Sequence, residues 1–251
     1  MHKSFKIGEA FKYSWGRFKA NWQLLVGSFA GAYFVNFALQ TLLKSTRHEP
    51  SASFIFGLAS VVIAVMIAYM VTHIGLLEGK GVKATLRDVF AKDLMMYIKV
   101  FAVTLILVLG AGILCGATVG MGIIFSVSIP HDVSFAIAFI VGLVLVLYFS
   151  VVTKFSVYAL IDGSGIFASI KKSFEIIEGS FWKIVGLLIV TALFNILGII
   201  ALVVGLAVTV PVSTIMFGYA YHKLVEHYNH THSHIHNHAG NHTDNHAEKT
   251  E

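Results

Sequence analysis

Long apolar runs separated by short charged segments dominate the hydrophobic pattern of this chain. Five runs carry no Asp, Glu, Lys or Arg: 20–43, 50–77, 100–130, 133–153 and 184–221. A helix needs about 20 apolar residues to cross a hydrocarbon core of about 30 Å, so each of the first four predicts one crossing. The last run has 38 residues. As one helix it would reach about 57 Å at ~1.5 Å per residue, which predicts two crossings. Their turn is expected near 202–205, and Pro211 is expected to kink the sixth helix.

The charged connections have a pattern of their own. Ile7, Phe11, Trp15, Phe18 and Trp22 recur every three or four residues, the spacing of one helical face. Val82, Leu86, Phe90, Leu94 and Tyr97 repeat it, as do Ile166, Ile170, Phe174, Ile177 and Phe181. Lys6, Lys12, Arg17 and Lys19 lie mostly off the first stripe. Such helices are expected to lie at the headgroup level. Phe11, Trp15, Phe18, Trp22, Phe90, Tyr97, Phe174 and Phe181 would then enter the acyl boundary, with the cations facing anionic lipid.

The three segments belong to an internal repeat. Leu76-Leu77-Glu78-Gly79-Lys80-Gly81-Val82 aligns with Leu160-Ile161-Asp162-Gly163-Ser164-Gly165-Ile166, and the match runs on through Arg87 with Lys171 and Phe90 with Phe174. The N-terminus echoes it through Phe11, Lys12, Trp15 and Trp22. The expected fold is all-α: a polytopic membrane bundle of six transmembrane helices, built as three parallel repeats of an interfacial helix plus a hairpin. The repeats cover 5–78, 79–161 and 163–226 of a single domain, 1–226. The two Gly-x-Gly turns lack the following Lys-Ser/Thr and the preceding strand of a phosphate loop, so they read as helix stops.

Charge distribution adds orientation. Six crossings put 16 of the 18 Lys and Arg residues on one side and leave Lys44 and Arg47 on the other. The positive-inside rule then places both termini in the cytoplasm. Composition agrees with a membrane class: 57% hydrophobic and 12% charged, against about 25% charged in soluble domains. Lys3, Lys6 and Glu9 interrupt any early apolar core, so no cleavable signal peptide is expected.

Inside the predicted spans, Gly27 and Gly31, and Gly112, Gly116 and Gly120, stand four apart. Small residues at this spacing predict close helix packing within the bundle, or alternatively a homo-oligomer interface. The spans hold no Asp or Glu, and Asn36, Gln40 and Asn195 are their deeper polar residues. Intramembrane ionisable groups mark ion and proton paths. Their scarcity argues against a proton-coupled transporter. There is no His-Glu-x-x-His, Gly-x-Ser-x-Gly or paired-carboxylate motif, so no catalytic residue is assigned and no enzyme is expected.

From His222 the composition shifts to His with Asn, Thr, Ser, Ala and Gly. Residues 227–251 read as a disordered, His-rich cytoplasmic tail. His230, His232, His234, His236, His238, His242 and His246 are candidate ligands for zinc, nickel or copper, because neutral imidazole suits these ions. No cofactor is required by the rest of the chain.

One likeness adds to this reading. The segment Ile7-Gly-Glu-Ala-Phe-Lys-Tyr-Ser-Trp-Gly-Arg-Phe-Lys-Ala-Asn-Trp22 resembles the opening of the YciC-like proteins and of the membrane domain joined to some glycerophosphodiester phosphodiesterases. Tyr158-Ala-Leu-Ile-Asp-Gly163, Lys172-Ser173-Phe174 and Gly179-Ser-Phe-Trp182 resemble the same group. The likeness spans about residues 5–226. It implies a six-span bundle in a prokaryotic plasma membrane and no activity, since the phosphodiesterase domain is absent. The expected role is a non-enzymatic membrane protein that organises or responds to the bilayer, or supports a membrane partner. Its partners would be the bilayer and anionic headgroups, not nucleic acid. Metal handling through the tail and small-molecule carriage are the alternatives.

Overall fold

The computed structural model describes residues 5–45, 50–90, 94–126 and 131–247, with side chains outside that description at 50, 52–53, 131–132, 202–204 and 232–247. The described residues are helical with no strand: α1 (Ile7–Ala20), α2 (Trp22–Ser45), α3 (Pro50–Gly79), α4 (Leu94–Phe125), α5 (His131–Thr153), α6 (Ser156–Ile161), α7 (Ile166–Ile177), α8 (Phe181–Ile200) and α9 (Leu202–Ala247). Five helical segments are long and apolar enough to cross a membrane: Trp22–Ser45, Phe54–Gly79, Leu94–Phe125, Val133–Ile161 and Phe181–Ile200. This is the architecture of a helical multi-pass bundle.

α9 forms the centre. Val212, Ile215, Met216, Ala220 and Tyr221 are fully buried, and the helix packs against α1, α2, α3, α7 and α8. It turns out of α8 at Ala201, just before the expected 202–205. The turn closes because Gly198 faces Gly205 and Thr209 without a side chain between them. α9 continues through Pro211 as far as Ala247. Once a helix is nucleated by a packed core, each added residue needs only one further hydrogen bond.

The closest approach is between α3 and α9. A Cβ added to Gly218 would lie 1.8 Å from the carbonyl oxygen of Gly75, and one added to Gly79 would lie 2.3 Å from the backbone of Gly218. Glycine is required on both sides of this crossing. The stripes picked out in the sequence behave differently: a Cβ on Gly27, Gly31, Gly112, Gly116 or Gly120 would meet nothing within 4 Å. These five glycines therefore make no close approach to another helix of this chain. On α4, Gly110, Thr118 and Gly122 are among the residues that meet α5. Two positions turn an α-helix by about 200°, which puts Gly112, Gly116 and Gly120 on the opposite side. On α2 the buried residues Leu25 and Phe29 stand two positions from Gly27 and Gly31 in the same way.

The interfacial segments differ from one another. α1 and α7 form as expected. Between α3 and α4, residues 82–85 carry no regular structure and Leu86–Val89 make a 3₁₀ turn where an interfacial helix is expected. Thr85 and Asp88 form a capping box there, with the Asp88 carboxylate taking the Thr85 N–H and hydroxyl. The stripe residues also divide. Trp22, Phe90 and Phe174 are exposed. Phe18 is buried in the protein, which corrects its expected exposure to lipid, and Phe11 meets Phe194 edge-on at 5.4 Å. Trp15, Tyr97 and Phe181 are half-buried. On α7, Ser169, Ser173, Ile176 and Ile177 turn inward, while Phe167 and Phe174 turn outward.

Candidate functional site: the polar end of the bundle

Tyr13, Arg17 and Asn21 stand four apart, one face of α1 carried into its C-terminal cap. All three reach the last turn of α3. Glu78, fully buried, accepts from Arg17 Nε at 2.7 Å, Asn21 Nδ2 at 2.8 Å and the Ala84 N–H at 2.9 Å. The Arg17 guanidinium makes a second 2.7 Å approach through Nη2. The Tyr13 hydroxyl donates to the Glu78 carbonyl at 2.9 Å, and Asn21 Nδ2 donates to the Ala84 carbonyl at 3.0 Å. Burial lifts the Tyr13 phenol above its usual pKa. Its ring lies 4.6 Å from that of Tyr219 on α9.

A second acidic residue before a Gly-x-Gly makes a comparable contact. Asp162, at the equivalent position, pairs with Lys80 Nζ and accepts from the Tyr221 hydroxyl at 3.2 Å. The two turns are not identical. Gly81 takes φ of +84° in the first and Gly163 takes +104° in the second, which are different glycines of the aligned Gly-x-Gly. α3 therefore runs two residues further than α6. That extension carries Glu78 into the last helical turn, where it is buried, and leaves Asp162 as a partly exposed cap. Because a carboxylate already occupies the Ala84 N–H, the first turn is unsuited to holding a phosphate.

Ser173 ties α7 to the α5–α6 break. The helix break between α5 and α6 leaves backbone groups unpaired, and Ser173 fills both roles: its hydroxyl donates to the Val152 carbonyl at 2.7 Å and accepts the Phe155 N–H at 3.2 Å. Beside it, Lys154 Nζ lies 4.4 Å from the Phe217 ring centroid. Deeper in, the Ser213 hydroxyl reaches Asn195 Oδ1 at 3.4 Å, an interhelical contact between α9 and α8.

Chemically, the Glu78 and Asp162 sites are clamps. Each carboxylate is spent on protein donors, and together they join α1, α3, α6 and α9 at one end of the bundle. Sequence inspection passes over Glu78, Arg17, Asn21, Ser173, Gly75 and Gly218. The usable signal is an acidic residue closing an apolar helix just before Gly, paired with polar residues four apart on the preceding amphipathic helix. Among the described residues, no three His, Cys, Asp or Glu side chains converge on a metal-sized site. His230 is exposed on α9, while the side chains of His232, His234, His236, His238, His242 and His246 lie outside the described residues.

Compared with protein-family models, curated proteins and solved structures, the chain matches none.

Proposed function

We propose that this chain is a six-span plasma-membrane protein of the YciC-like kind, with both termini cytoplasmic, that responds to or organises the bilayer without catalysing a reaction. One observation carries this reading. The clamped end of the bundle displays large apolar side chains beside basic ones: Trp22, Leu86, Phe90, Phe167 and Trp182 are all more than half exposed, among Lys19, Lys83, Arg87 and Lys171. Aromatic residues with Lys and Arg at one level are the chemistry of an interface with anionic headgroups. The charge-free stretch of α9 supplies the sixth crossing, and the Lys and Arg distribution supplies the orientation.

The clamps give a route by which surface events reach the core. α1 is bonded to α3 through Glu78, and α7 to the α5–α6 break through Ser173. A headgroup that displaces α1 or α7 acts on the helices that pack around α9. The test is hydrogen exchange of the reconstituted protein in vesicles with and without anionic lipid. Protection over 163–182 is expected to rise with anionic content. Equal protection in both would remove the lipid-responsive reading.

A second reading, metal handling, draws on the helical backbone of residues 227–247. Residues four apart return to the same side of a helix, and His230, His234, His238, His242 and His246 have that spacing. Carriage of a small molecule finds less support, because grooves along the spans are lined by apolar and small residues.

A further inference from the structure

We infer that the groove between α2 and α3 is a binding site for one acyl chain of an anionic phospholipid. This inference rests on the bilayer reading and names the ligand and the place. The groove encloses about 300 Å³. Gly27, Gly31 and Val35 form its α2 wall, Ile63 and Met70 its α3 wall, and Val89 and Phe90, from the segment after α3, complete the lining. Gly27 and Gly31 keep it open, since neither would bring a Cβ within 4 Å of another atom. From Gly27 to Val35 the wall runs about 12 Å at ~1.5 Å per residue, room for part of one extended chain.

Charge on that segment selects the headgroup. Phe90 belongs to the segment that replaces the second interfacial helix, and exposed Lys83 and Arg87 lie in that same segment. The nearby acid, Asp88, has its carboxylate engaged by the Thr85 N–H and hydroxyl. Val82, Leu86 and Phe90 are each more than half exposed in this segment. The segment that lends Val89 and Phe90 to the groove thus also carries exposed apolar side chains for the bilayer and two cations for a headgroup. The Glu78 and Asn21 bonds to Ala84 hold it in place. An apolar groove with cations on the segment that completes its lining is complementary to an anionic diacyl lipid and not to a soluble metabolite.

The experiment uses the full chain in nanodiscs of phosphatidylcholine with phosphatidylglycerol, released for native mass spectrometry. The wild type is expected to retain one phosphatidylglycerol in preference to phosphatidylcholine. Gly31→Leu fills the slot and is expected to abolish retention of either lipid, whereas Gly116→Leu, on an open face of α4, is expected to leave it unchanged. Lys83→Gln with Arg87→Gln is expected to lower the preference roughly thirtyfold, the scale of two surface cations, while a lipid is still held. Photo-crosslinking of the wild type with a diazirine-acyl phosphatidylglycerol provides a readout that needs no variant. Label should concentrate at 27–35 and 63–70. Retention unaffected by Gly31→Leu in folded protein, or label spread evenly over α4 and α5, would overturn the site. Hydrogen exchange that still follows anionic content in that case would leave the bilayer reading intact. A retained lipid without such a response would uphold the site and remove the response.

Discussion

The guanidinium of Arg17 and the carboxylate of Glu78 meet at 2.7 Å across 61 positions of sequence, with the carboxylate side chain 1% exposed. Arg17 comes from the short amphipathic helix α1 and Glu78 from the end of a long apolar one, so the pair ties α1 to α3. Breaking a buried pair by removing one partner costs about 3–5 kcal/mol, because the other charge is left uncompensated. Glu78→Ala and Arg17→Ala should each lower the melting temperature in detergent steeply. The double variant should lose much less than the sum of the two. Additive losses would show that the two side chains do not act as a pair.

The α3–α9 crossing makes a contrasting prediction for glycine. Gly218→Ala should destabilise by about 1–3 kcal/mol or more, since the new methyl overpacks against backbone and not against a flexible side chain. Gly116→Ala has open space around it and gains helix propensity, so it should be neutral or stabilising by up to about 1 kcal/mol. A ranking of melting temperatures in one detergent checks both. The reverse order would mean that the crossing does not lie at Gly75 and Gly218.

Ser173→Ala removes the hydroxyl that satisfies two backbone groups at the α5–α6 break. An unsatisfied buried group costs about 1–3 kcal/mol. The expected signature is local: faster amide exchange at Phe155 and over α6, with α4 unaffected. Ser173→Thr, which keeps the hydroxyl, should recover part of the loss.

Midway along α9, Lys223 donates to Glu226 at 2.7 Å. This hydrogen bond holds the Glu226 carboxyl below its usual 4.5 and lifts the Lys223 ammonium above its usual 10.5. For the depressed carboxyl, the contribution to stability is whole above about pH 4.5 and is lost as pH falls through the folded value. For the raised ammonium, it is whole below about pH 10.5 and is lost as pH rises through the folded value. Both groups are solvated, so the effect on stability is small and a site-resolved titration is the appropriate measurement. Lys223→Met should return the Glu226 carboxyl resonance to an ordinary titration. An unshifted titration would mean that the pair does not persist in solution.

The histidine segment should bind zinc, nickel or copper in isothermal titration of the full chain, and removal of residues 232–251 should abolish it. Binding requires neutral imidazole, so affinity should fall as pH drops through about 6.5. Retention of full affinity after truncation would place the metal elsewhere.

Much of the fold is legible in the linear pattern because a bilayer forces it. Backbone groups in hydrocarbon must be bonded within the segment, so a long charge-free run is a helix wherever it packs. The α2, α3, α4, α5 and α8 spans, the surface helices α1 and α7, and the repeat at Glu78 and Asp162 can be read this way. The packed faces cannot. In water, polar residues mark the outside of a helix, but here Ile113 and Ile124, exposed on α4, are as apolar as buried Val103. Glycine spacing has the same ambiguity, and so Gly112, Gly116 and Gly120 stand open while Gly75, Gly79 and Gly218 make the crossing.

By itself, then, the sequence determined which segments are long apolar helices, where glycine stops them and where the cations gather, since these depend on local composition and hydrogen bonding. Only the tertiary structure decided that α9 is the centre, that residues 82–90 form a pinned collar and not a third surface helix, and that a groove opens beside Gly27 and Gly31. Each of these depends on which side of a uniformly apolar helix meets which neighbour. Periodicity cannot encode that choice when both sides face oil, so contacts far apart in sequence, Arg17 with Glu78 above all, settle it.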